Sequence, residues 1–188
     1  MNYNEISLGQ YIEIYSILTN TEIDQEERLI YLCMLFDKDI LNKPIAEFKQ
    51  LSNSIVELLK TEPTKNSVKD KYKLNGVTYK LHKDFGTLTT SQFIDFQNYL
   101  KNGCTFDKYN QVLSVFLIPE GETYNNGKYD IKQLQRDIDN HLSICDGLGI
   151  ADFFLRTTKV FLHSFQKSLQ SKMKKLKKEQ NKQNNQNK

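Results

Sequence analysis

His141 and Cys145 lie four positions apart, the interval that sets two metal ligands on one face of a helix. A closed tetrahedral site needs a second Cys or His pair, and none follows nearby. Ser143 also has the spacing to begin a new helix between the two, so both are read as packing residues. Cys33 or Cys104 as a nucleophile would need a histidine delivered by the fold, with His82 and His163 as the remaining candidates; no spacing marks such a pair, and inert thiols are expected. Asp137 and Asp139 sit two apart on a predicted helix and point to different sides, so they are expected to be solvated rather than paired for acid–base work. There is no phosphate-binding loop, dinucleotide fingerprint, zincin pair or nucleophile elbow. A chain with no catalytic centre, metal or cofactor is therefore expected, and a small enzyme with an unrecognised site is the third alternative.

Composition narrows the setting. The 188 residues suffice for one domain, or for a domain with a small helical appendage. Three cysteines, odd in number and far apart, imply no disulfide framework and suit a reduced, cytoplasmic environment. No run approaches the roughly 20 apolar residues of a membrane span, and no basic segment followed by an apolar one opens the chain, so a soluble, unexported protein is expected. The net charge of +3 divides into +7 over residues 167–188, where eight lysines face Glu179 alone, and −4 over 1–166. A mildly acidic body with only Arg28, Arg136 and Arg156 is ill suited to sequence-specific DNA reading, which relies on the bidentate arginine fork. Lys172, Lys174, Lys175, Lys177 and Lys178 remain able to touch nucleic acid non-specifically, or another anionic partner.

The elements that would position any site are mostly helical. Ser7 to Gln10 has capping-box spacing before an apolar series at Leu8, Tyr11, Ile12, Tyr15 and Leu18. Asp24 to Glu27 repeats the signal before Leu29, Ile30, Leu32, Cys33 and Phe36. Pro44 suits a first helical turn, and the series from Ile45 to Leu59 ends at Glu62-Pro63. These three helices form an expected N-terminal subdomain, 1–60, followed by a polar linker at 61–70. The period then changes to two. Tyr72 to Leu81 reads as two alternating runs around Asn75-Gly76, a type I′ hairpin that should pack on helices or extend a partner's sheet. Thr89 to Gln92 caps a helix with Phe93, Phe96 and Leu100 inward, closed by Asn102-Gly103. Tyr109, Val112, Leu113, Phe116 and Leu117 form the stripe of another helix, which runs until Pro119. Asp130 and Ser143 start two more, the last weakened at Gly147 and Gly149 but continuing through Leu169. The resulting fold class is mainly α, a helical bundle with one short β-hairpin. A hairpin-plus-helix domain covers 71–170, and a basic tail at 171–188, too polar to offset its ordering entropy, is expected to be disordered.

The loop over 119–129 exceeds the about two to eight residues typical of helix connections. It holds Tyr124 and Tyr129, which are accounted for only if they pack on the body or on a partner. Two readings stay open: a self-packed Ω-loop, or a partner-binding surface built from Tyr124, Asn125 and Tyr129.

Several segments carry a family resemblance: Gln92-Phe93-Ile94-Asp95-Phe96-Gln97-Asn98-Tyr99-Leu100, then Leu113-Ser114-Val115-Phe116-Leu117-Ile118-Pro119-Glu120-Gly121, then Tyr124-Asn125-Asn126-Gly127-Lys128-Tyr129-Asp130, then Ile150-Ala151-Asp152-Phe153-Phe154-Leu155. In their order these resemble small morphogenesis proteins of tailed bacteriophages, of the tail-assembly-chaperone-like group. The resemblance covers the C-terminal half; the hairpin and the basic tail have no counterpart in it. It implies a small, helical, non-catalytic protein that holds another virion or assembly protein, in the host cytoplasm or in the particle, with oligomers allowed. The alternative from a different class is a nucleic-acid-associated accessory protein working through its lysine tail.

Overall fold

The structure is a computed structural model that describes residues 1–101 and 108–158. It is mainly α-helical with one small antiparallel sheet. The helices are α1 (Leu8–Thr19), α2 (Gln25–Phe36), α3 (Ile45–Leu59), α4 (Thr90–Lys101), α5 (Tyr109–Phe116) and α6 (Ile131–His141). The strands are β1 (Lys71–Leu74), β2 (Val77–Leu81) and β3 (Leu117–Pro119), in the order β1-β2-β3. A further helix, α7, covers 144–151.

Local hydrogen bonding explains most helix starts. Ser7 accepts from the Gln10 amide while the Gln10 side chain accepts from the Ser7 amide, and Asp24 and Glu27 form the same reciprocal pair at α2. Thr89 and Gln92 do so at α4. Each pair satisfies amides that the first helical turn leaves without partners. Gln92 then spends its side-chain amide on Val115 O at 3.0 Å, so this buried polar residue joins α4 to α5. Phe96 is buried as expected, whereas Phe93 and Leu100 are only partly covered. The expected helix stop at Asn102-Gly103 lies outside the described residues.

Residues Met1–Ala151 form one compact unit. Within it α1 packs on α2 and α6, α2 on α3, α4 on α5, and α5 on α6. Two helix starts meet in an isolated antiparallel bridge between Ser7 and Ser143, closed by Leu8 N to Leu142 O at 2.8 Å and Ile144 N to Ile6 O at 2.9 Å. α1 and α7 thus begin at one bridge, although well over a hundred residues separate them. Phe85, Phe96 and Phe116 stack edge to face or tilted, with ring centroids 5.2 to 5.6 Å apart, and fix α4 and α5 against the turn that follows β2.

Two expectations change here. The stripe through Leu117 is not helical to its end: α5 stops at Phe116 and 117–119 become β3, pairing with β2 in the register Lys80 to Ile118. Every residue from Leu113 to Ile118 is buried, and a run covered on all sides has no period that separates helix from strand. The expected linker at 61–70 carries no helix or strand, yet it is held to the body. Asn66 N donates to Cys145 O at 2.9 Å, and its side-chain amide donates to Asn4 and Asp146, both at 2.9 Å. The segment is a connection inside one unit rather than a boundary between two.

A second unit begins at Asp152, of which 152–158 are described and helical. Arg156 pairs with Asp152 at 3.1 Å, and the Thr157 hydroxyl donates to Phe153 O. The expected tail at 171–188, with Lys172, Lys174, Lys175, Lys177 and Lys178, lies outside the described residues.

Candidate partner-binding surface

The sheet provides the base of the site. Its turn is as expected, with Asn75 at φ 47° and Gly76 at φ 79°, the two left-handed positions of a type I′ hairpin. Tyr72, Leu74, Tyr79 and Leu81 turn inward, leaving Lys71, Lys73 and Lys80 on the outer face. Lys71 lies directly opposite Lys80, a like-charge cross-strand pair relieved in part by the ion pair of Lys71 with Glu120. Such a pair lowers stability, so Lys80→Thr should raise it by about 0.5 kcal/mol in urea unfolding, Thr being also a better strand residue. An unchanged or lowered value would show that the lysine is structural.

Beside this face lies a cleft of about 610 Å³ walled by the segment after β2 and by the start of the 119–129 loop. Both signs of charge line it, Lys80 and Lys83 against Asp70, Asp84, Glu120 and Glu122, with His82 on the same wall. His82 Nε2 is 2.8 Å from Thr87 Oγ1, and Lys83 reaches Asp70 at 2.7 Å. The hydrogen bond from Lys83 holds the Asp70 carboxyl below the usual carboxylate range.

The loop is fixed at its middle and exposed at its tip. Tyr124 is only 7% exposed, and its hydroxyl donates to Asp95 Oδ2 at 2.8 Å. Burial, then the bond to Asp95, pushes this phenol far above the ordinary tyrosine range. Tyr129 is half-buried, and its oxygen accepts weakly from Asn125 N at 3.4 Å. Asn126 donates to Glu122 at 2.7 Å and accepts from Lys128 N at 3.0 Å. Gly121, Asn125 and Gly127 all have positive φ, which Gly and Asn tolerate best. Of the three residues expected to meet a partner, Asn125 is exposed at the tip and Tyr129 braces it. Tyr124 is chiefly a strut inside the fold, bonded to Asp95, and offers a partner only the small surface it adds to the cleft wall.

The chain matches no family model, no curated protein and no solved structure.

The two carboxylates expected in solvent are not there. Asp137 is 4% exposed beneath the hairpin; it accepts from Asn75 Nδ2 (3.2 Å), Gln133 Nε2 (2.9 Å) and the Tyr79 hydroxyl (3.2 Å). Asp139 points the other way, as the spacing requires, and meets Asn110 of α5 at 2.6 Å, with the Gly9 backbone of α1 close by. Both sides of α6 are covered, which spacing within one helix cannot reveal. The Oδ1 atoms of Asp139 and Asn110 are buried with no partner among the described residues, and burial raises the Asp139 carboxyl above its ordinary range. A raised carboxyl binds its proton more tightly in the folded state, so stability falls as pH climbs from the ordinary value of about 3.9 through the folded one. Asp139→Asn should remove that decline and stabilise the neutral protein by about 1 kcal/mol, because an amide at 139 can donate to Asn110 Oδ1 while accepting from its amide. Urea midpoints across the acid range check both effects.

Cys33 and Cys145 are buried, and burial pushes both thiols up, away from the reactive thiolate. His141 is exposed at the end of α6, whereas Cys145 is buried in the first turn of α7. Cys104 and His163 lie outside the described residues. Among the described residues no three His, Cys, Asp or Glu side chains group around a metal position, and no helix is long and apolar enough to cross a membrane.

Proposed function

We propose that this chain is a non-catalytic assembly or structural protein of a tailed bacteriophage, tail-assembly-chaperone-like, acting in the host cytoplasm or in the particle. It holds another virion or assembly protein against the cleft and the tip of the 119–129 loop. One observation carries the binding part of the reading: a loop pinned through Tyr124 to Asp95 presents an exposed tip, 125–128, beside a mixed-charge cleft. A surface held in place before contact loses less entropy on binding than a free loop would. The phage setting is supported by the resemblance, whose segments fall on α4, α5 with β3, the loop, and the residues beginning at Ile150. The first three are neighbours in the fold, α4 packing on α5 and Tyr124 reaching α4.

The test mixes the purified chain with the separate head and tail proteins of the phage that carries it and follows complexes by sedimentation. A complex with one of them is expected, weakened by Lys80→Glu with Lys128→Glu, two exposed positions whose reversal leaves the core untouched. Random duplex DNA is the comparison. DNA binding that falls steeply with salt and disappears on truncation after Leu169, with no protein complex, would instead favour the lysine-tail reading.

A further inference from the structure

The two outer edges of the sheet differ. At β3, Leu117 N turns back to Leu113 O, Pro119 has no N–H, and Pro119 O accepts from Glu122 N. Apart from the Leu117 carbonyl, that edge is closed from within the chain. At β1, the Asp70 carbonyl accepts from Leu81 N, which fixes the alternation: Tyr72 and Leu74 exchange backbone bonds with β2, whereas the N–H and C=O of Lys71 and Lys73 point away from it. None of these four outward groups has a partner among the described residues. The two residues that present them also place exposed lysine side chains on the outer face, beside Lys80.

We infer that the open edge of β1 takes an extended acidic segment of a partner polypeptide as a fourth strand. Backbone groups of Lys71 and Lys73 supply the ladder, and their side chains supply the preference for acid. A second copy of this chain is the wrong occupant, because β1 against β1 would set lysines opposite lysines, and like charges directly opposed destabilise a sheet. Edge lysines are the usual guard against indiscriminate pairing, and what they admit is a strand of opposite charge. This surface lies across the sheet from β3, and the inference stands whether or not the chain serves in phage assembly.

The test uses a short synthetic peptide alternating Glu and Val, with a Lys–Val peptide as control, and amide hydrogen exchange of the full chain read by NMR. The acidic peptide should slow exchange at Lys71 and Lys73, and the basic one should not. N-methylation of alternate peptide residues should weaken binding by about tenfold in one register and leave the other unchanged, because only every second N–H of an added strand faces the ladder. Lys73→Glu should weaken the acidic peptide by a similar factor of about ten. If that variant does not fold, the methylated peptides on the unaltered chain decide alone. Equal binding of both methylated registers, or no slowing at Lys71 and Lys73 with saturating acidic peptide, would overturn the inference.

Discussion

Asp137→Ala is expected to destabilise the protein by about 3 kcal/mol, seen as a lower urea midpoint with an unchanged slope. The size follows from what the carboxylate holds. One oxygen accepts from the hairpin turn through Asn75 and from Gln133 one helical turn away, and the other accepts from the Tyr79 hydroxyl on β2. Alanine removes three bonds at once and leaves the buried Tyr79 phenol without its acceptor. Burial first, then the charge and hydrogen bond of Asp137, push that phenol up to about 12, so it stays a donor at any ordinary pH. Tyr79→Phe removes only one of these bonds and should cost about 1 kcal/mol. A comparable loss for the two variants would mean that Asn75 and Gln133 contribute little, and that the turn is not held to α6 by this carboxylate.

Gly149→Ala is the second large effect, expected at about 2 to 3 kcal/mol. A β-carbon built there falls 2.3 Å from the Asn66 carbonyl oxygen, with further Asn66 backbone atoms behind it. The obstacle is main chain, so the 61–70 segment must move, and with it the bond from Asn66 N to Cys145 O. Gly147 is the internal comparison. A β-carbon at 147 meets only Leu8 and Leu142 side chains at 3.6 Å or more. Gly147→Ala should therefore be neutral or gain up to about 1 kcal/mol from helix propensity. Two glycines two residues apart in one helix would then shift stability in opposite directions. Equal effects would contradict the close approach at Gly149.

What could be read along the chain was what the chain does within a few residues of itself. Ser7 with Gln10, Asp24 with Glu27 and Thr89 with Gln92 cap their own helices, and Asn75-Gly76 makes its own turn, so spacing alone exposes them. The mainly helical class follows from such signals. Partners brought from afar leave no such trace. Leu117-Ile118-Pro119 becomes a strand because β2, some forty residues earlier, offers an unfilled edge. Asp137 is buried and Asp139 half-buried because α6 is covered by the hairpin on one side and by α1 and α5 on the other, whereas the helix's own sequence, with few apolar residues, reads as exposed. Tyr124 faces Asp95 for the same kind of reason. At Gly149 the sequence marks a weak point in a helix but not the carbonyl that requires it. The loop itself was legible as unusual from its length; which of its residues face outward was not.

Infectious-particle yield after deletion of this chain, with complementation, tests the central claim most directly. Deletion from the phage that carries it should abolish finished particles, the wild-type chain should restore them, and the folded Lys80→Glu, Lys128→Glu variant should restore few. Undiminished yield after deletion, or full rescue by the charge-reversed variant, would contradict an assembly role exercised through the cleft and loop.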